Sequence, residues 1–284
     1  MTETTLKTGR RVVWSGEGMP ASDGAGVKLT RVIGQPKLPD LDPFLMLDEF
    51  RSDDPKAYMA GFPDHPHRGF ETVTYMLAGR LRHRDNTGRE GLLTAGSVQW
   101  MTAGRGIVHS EMPEQERGLM QGFQLWINLP AKDKMTAPRY QEFAPETIPE
   151  ATLAEGAKVK VVAGLVSGVK GPVEPGETEP VFLDISLSAG AEAIIPLPEG
   201  HSAFLYPHEG SVLVGEGEER LARGRVAVLS PGDHVTLTAE GAGARLLLIA
   251  GKPLKEPVAK YGPFVMNTEA ELRQAVQDFQ AGRF

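Results

Sequence analysis

Two short motifs limit what this chain can build: His65-Pro66-His67 and His109-Ser110-Glu111. Each sets two metal-ligand side chains at i and i+2. On a β-strand that spacing puts both side chains on one face. Two such strands, facing inward from opposite walls of a barrel, would aim three imidazoles and one carboxylate at a single point. Nitrogen and oxygen donors in that ratio suit a divalent first-row metal. Four protein ligands on an octahedral ion leave two positions open. A lone histidine is ordinarily a solvated side chain, but three of the seven histidines fall in these two motifs, so they are read together as His65, His67, His109 and Glu111.

Composition agrees with a barrel. Glycine (33) and proline (22) make up about a fifth of the 284 residues, a load that suits short strands joined by turns. Hydrophobic residues, at 40%, suffice for a core. There are no cysteines, which excludes disulfides, iron–sulfur clusters and thiolate ligands. A formal charge of −7 gives no electrostatic footprint for nucleic acid. The opening MTETTLKTGRRVVWSG has no apolar signal region, and Leu246 to Ala250 is far too short to span a bilayer. The expectation is a cytoplasmic protein with no membrane association.

Along the chain, strand signals fall at Arg11 to Trp14, Lys28 to Ile33, Leu45 to Phe50, Glu71 to Leu77, Leu81 to Asp85, Gly96 to Met101 and Gly122 to Leu129. Asp48 and Glu49 interrupt the third of these; they either lie near the site or face solvent, and the second is the expectation. Gly104-Arg105-Gly106 reads as a tight loop before the second motif. From Pro130 to about Gly156 the chain is polar and broken by proline, which reads as the domain connection, with a short helix near Ala131 to Met135. Strand signals then resume from Val159 to Ile249. Thr268 to Glu271 fits a capping box, and Leu272, Ala275, Val276 and Phe279 form an apolar stripe that Gly282 ends, so a C-terminal helix is expected to cover a barrel face.

The two halves overlay as an internal repeat. Tyr75 and Gly79 match Tyr206 and Gly210 at an offset of 131, and Gly96 and Gly104 match Gly224 and Gly232 at an offset of 128. On this register His65 and His67 fall on Pro196 and Pro198, and His109 and Glu111 on Leu237 and Ala239. None of these four can bind a metal through its side chain. The second half is therefore expected to repeat the scaffold without the site.

These residues resemble the cupin superfamily. His65-x-His67-x3-Glu71-x7-Gly79 is similar to the first cupin motif, and Gly96 to His109 to the second. Ending in His109-x-Glu111 departs from the general pattern and resembles the pirin family. So do Asp42 to Phe50, His65 to Tyr75, Gly104 to Pro113, and Phe264 to Thr268 ahead of the last helix. The resemblance implies an all-β bicupin: two stacked cupin-type β-barrels with a short C-terminal helix. The expected division is residues 1–135 as a metal-binding barrel and 136–284 as a metal-free barrel carrying the helix. It also implies one ion, most often Fe(II), held by His65, His67, His109 and Glu111, with Glu71 structural rather than a ligand.

Some pirins resemble quercetin 2,3-dioxygenases in activity. The resemblance thus implies a phenolic small-molecule substrate and O2, with Glu111 able to act as ligand and as base. A coordinated carboxylate is a weak base, so proton transfer would need a loosened metal bond. The alternative the family implies is a regulatory protein whose iron redox state sets its affinity for a protein partner.

Overall fold

The structure is a computed structural model and describes residues 7–284. The alternating segments form two β units. The first comprises Met19–Pro145 with Leu254–Phe284, and the second the described part of Met1–Gly18 with Glu146–Pro253. A single cut at 135/136 does not describe this division. Arg139–Phe143, beyond that cut, pairs with Val98–Thr102 and completes a sheet of the first unit. The C-terminal helix also belongs to the first unit. It packs on Phe264–Met266, and Val265 N–H donates to the Arg68 carbonyl. Conversely, Val12–Glu17 pairs with Arg225–Leu229 in the second unit. Pairings this distant in sequence leave no mark in local pattern, which is why the cut was misplaced. The helix expected near Ala131 to Met135 is a single 3-10 turn, Ala131–Asp133.

Besides a two-stranded sheet, Ala259–Tyr261 with Phe264–Met266, the first unit has two larger antiparallel sheets. One runs Arg139–Phe143, Val98–Thr102, Phe70–Ala78, Met120–Asn128, Phe44–Ser52, Val27–Ile33, Met19–Asp23; the other runs Phe62–His67, Ile107–Pro113, Leu81–Asp85, Glu90–Leu93. The chain passes between them at Arg68-Gly69. Gly69 has φ +89°, and a Cβ there would lie 1.9 Å from the Val265 carbonyl oxygen, so the turn and the close approach both require glycine. That turn puts Glu71 in a different sheet from His65 and His67.

In the second unit a nine-stranded sheet includes two long bent strands, Ser202–Val214 and His234–Gly251. The second pairs with Glu192–Pro196 at its start and with Val181–Leu187 at its end. The bend passes through Gly241 and Gly243, both with positive φ. The interior is one apolar cluster built from Val, Leu, Ile and Ala.

The helix spans Glu269–Gln280, capped by Thr268, with the Thr268–Glu271 capping box formed in both directions. Leu272 and Ala275 are buried against Phe264 and Met266. Among the described residues no helix is long and apolar enough to cross a membrane.

Candidate metal centre

The two motifs lie on adjacent antiparallel strands, Phe62–His67 and Ile107–Pro113, with His65 opposite His109 and His67 opposite Ile107. They are neighbours in one sheet rather than opposite walls. The pairing slips between His109 and Glu111 on the Phe62–His67 side. Against Leu81–Asp85 it stays regular, with His109 opposite Asp85 and Glu111 opposite His83. Alternation therefore holds, and His109 and Glu111 share a face.

The three imidazoles converge. Their ring centroids are 4.4 to 5.1 Å apart, and one nitrogen from each lies within 4.8 Å of the others. His67 and His109 are buried. Among the described residues neither makes a ring hydrogen bond of good geometry, and the Pro263 carbonyl alone approaches His67. Buried polar atoms almost always have a partner, so converging orphaned nitrogens fit a bound cation. Burial, and then the neighbouring histidines, hold both imidazoles well below the usual histidine pKa, and so neutral, the form that ligates. His65 is half-buried, with Nδ1 2.8 Å from the Pro63 carbonyl. A hydrogen bond donated there from Nδ1–H leaves Nε2 as the free donor atom. Trp126 and Phe70 meet His67 edge-on at 5.2 and 5.0 Å and restrict its ring.

Glu111 is buried on the same face but is not part of the three-histidine group. Thr74 Oγ1 lies 2.9 Å from its Oε1, and Gln124 Nε2 donates to its Oε2 at 3.2 Å. Sequence reading missed Thr74 and Gln124, since a polar residue on an alternating strand carries no sign of what it faces. Glu71 stays apart: Thr102 Oγ1 donates to it at 2.6 Å, and burial raises its pKa. The other histidines pair with carboxylates elsewhere, His83 with Glu142, His201 with Glu179, His208 with Asp184 and His234 with Asp233.

His65 and His67 of the cluster line a cavity of about 640 Å³ that also receives Glu111, Gln124 and Trp126, within the size range of small-molecule sites. Phe50 and Phe62 line it, and so do Asp23, Arg31 and Asp48. Asp48 was expected in solvent and is instead 2% exposed; Glu49 is 6% exposed. Their strand, Phe44–Ser52, is interior to its sheet, so its charges must find partners inside. Arg31, opposite Asp48 in the register, supplies one with Nε and Nη2 at 2.9 and 2.7 Å. Gln121 Nε2 serves Glu49 at 3.3 Å.

The second unit repeats this strand pair with a corrected register. Ala193 lies opposite Leu237 and Ile195 opposite Val235, as His65 lies opposite His109 and His67 opposite Ile107. The counterparts of His65 and His67 are thus Ala193 and Ile195, at an offset of 128, not Pro196 and Pro198. The offset of 131 holds for the following strand, so the intervening loop is three residues longer (131 − 128) in the second half. The conclusion about ligands survives. Ala193, Ile195, Leu237 and Ala239 are all buried in the apolar core.

Residues 26–127 match the family described as Pirin, and residues 182–284 match the Pirin C-terminal cupin domain. A Pseudomonas aeruginosa protein, provisionally named a quercetin 2,3-dioxygenase, is 54% identical over 93% of this chain and 94% of its own length. Pirin of Homo sapiens is 42% identical over 97% of this chain and 94% of its own length. The crystal structure of a quercetin 2,3-dioxygenase from Acinetobacter baumannii superposes with a TM-score of 0.90 at 35% identity, covering 98% of this chain and 99% of that one.

Proposed function

This chain belongs to the pirin family, and from that premise we propose that it is a metal-dependent dioxygenase opening the ring of quercetin-like flavonols. The observation that carries the reading is the trio of converging imidazoles, two with orphaned buried nitrogens, of which His65 and His67 line a cavity that also holds a buried carboxylate. We assign His65, His67 and His109 as ligands and Glu111 as the fourth. The ion, proposed to be Fe(II), would supply Lewis-acid activation of the flavonol 3-hydroxyl and the electron chemistry needed to use O2.

The chain's own residues then have separable tasks. Glu111 accepts the 3-hydroxyl proton on a carboxylate oxygen. Its hydrogen bonds to Thr74 and Gln124 leave one lone pair on each oxygen, one to face the ion and one for this proton. Those two bonds also fix the carboxylate on the cavity face, which is positioning done before substrate arrives. Trp126, Phe50 and Phe62 give the flat ring system apolar walls and keep water from the reacting carbon. The products expected are a ring-opened ester that retains both oxygen atoms of O2, and carbon monoxide.

The test is anaerobic loading with Fe(II), then oxygen uptake and carbon monoxide release with quercetin. A flavonol methylated at the 3-hydroxyl should be inert. No uptake across a flavonol panel, together with a change of partner affinity between Fe(II) and Fe(III), would replace this reading with the regulatory one.

A further inference from the structure

The cavity has a second polar end that the ligand set does not use. Arg31 spends Nε and Nη2 on the two oxygens of buried Asp48, and Nη2 also reaches Asp23 Oδ2 at 2.9 Å. Its Nη1 donates to none of the described residues. Asp23 is half exposed and accepts from the Gly24 N–H on Oδ1 at 2.8 Å, which leaves lone pairs on both oxygens. One rigid corner therefore offers a free donor beside a free acceptor. The cross-strand pairing of Arg31 with Asp48 fixes the guanidinium plane.

A ring bearing two adjacent hydroxyls matches that corner: one hydroxyl donates to Asp23 and the neighbouring oxygen accepts from Arg31 Nη1. Charge narrows the class further. One arginine against two aspartates leaves a net negative corner, which repels a carboxylate and favours neutral O–H donors. Phe50 and Phe62 line the same cavity and suit an aromatic ring between its ends. We propose that Arg31, Asp23 and Asp48 form a specificity subsite for a substrate whose distal ring is an uncharged ortho-dihydroxyphenyl group; this rests on the flavonol reading of the same cavity.

The experiment compares quercetin, which has adjacent hydroxyls on its pendant ring, with galangin, which has none, on Fe(II)-loaded wild-type protein and Asp23→Ala. A partly exposed hydrogen bond from a hydroxyl to a charged group discriminates by about 10- to 100-fold against the analogue lacking it. The wild type should favour quercetin in kcat/KM by that factor, chiefly through KM. In Asp23→Ala the ratio should fall below about threefold. Equal efficiency for the two flavonols in the wild type, or an unchanged ratio in the variant, overturns the subsite and leaves the dioxygenase reading standing. Direct binding of 4-methylcatechol, followed by calorimetry, separates the opposite case. Weaker binding in Asp23→Ala without turnover of any flavonol keeps the subsite and removes the dioxygenase reading. No turnover and no difference in binding removes both.

Discussion

The interiors of the two units differ at a strand pair whose register they share. The strand pair that carries His65, His67, His109 and Glu111 in the first unit carries Ala193, Ile195, Leu237 and Ala239 in the second, in the same register. In the second unit these positions join one continuous apolar core. The first unit buries polar residues as well, among them Thr74, Gln99, His83 and Glu111. The scaffold therefore does not need the histidines in order to fold. Without an ion, the orphaned ring nitrogens of His67 and His109 oppose folding, each by about 1–3 kcal/mol. A ligand that binds only the folded form offsets that cost through linkage.

The comparison breaks most sharply by exchange. His67→Ile with His109→Leu gives the first unit the residues of the second. Metal affinity should fall by more than about 100-fold, beyond what loss of a supporting residue alone produces, while the metal-free variant melts no lower than the metal-free parent. Metal analysis after dialysis and calorimetry read the two effects. Full occupancy in the variant would remove these side chains as ligands. The reverse exchange is the next largest. Leu237→His puts an unpartnered imidazole into a closed apolar core, which should cost about 2–4 kcal/mol and recruit no ion. A neutral result in denaturant titration would mean that the second interior is looser than its packing implies.

What the sequence disclosed follows the same division. The His65, His67 and His109 cluster was legible because a two-residue period on a strand converts directly into a shared face. The helix was legible because Thr268 and Glu271 cap it locally. Asp48 was not legible: its burial depends on Arg31 lying across the strand pair, a fact of register rather than spacing. The division into units was hidden for the same reason, since Arg139–Phe143 and the helix return to strands far back in the chain. The repeat was legible in outline, but glycine matches could not reveal a loop three residues longer in one half.

A smaller effect sharpens the role proposed for Glu111, whose counterpart is Ala239. Glu111→Gln keeps an oxygen that can coordinate but loses the proton acceptor. Flavonol turnover should fall by about 10²- to 10⁴-fold, the usual contribution of a general base, with metal occupancy reduced far less. Thr74→Val, which removes one hydrogen bond to that carboxylate, should lower turnover by about tenfold. If both variants lose metal and activity in parallel, Glu111 acts only as a ligand.

The smallest effect is a pH dependence that one unit should show through its clustered histidines and the exchanged variant should not. In the metal-free protein, burial and then mutual repulsion hold His67 and His109 well below the ordinary histidine pKa. Below about pH 6.5 the unfolded chain takes up protons on these imidazoles while the folded chain does not. The unfolded state then binds more protons, so stability falls as pH falls. The contribution is fully present above about pH 6.5 and declines toward the depressed folded values, by at most about 1.4 kcal/mol per pH unit for each group. Denaturant midpoints of the metal-free protein measured between pH 7 and 5 should drop more steeply than those of the His67→Ile/His109→Leu variant. The remaining histidines are common to both proteins and cancel in the difference. Parallel curves would show that the two imidazoles titrate as freely folded as unfolded, and the contrast between the two interiors would fail at its centre.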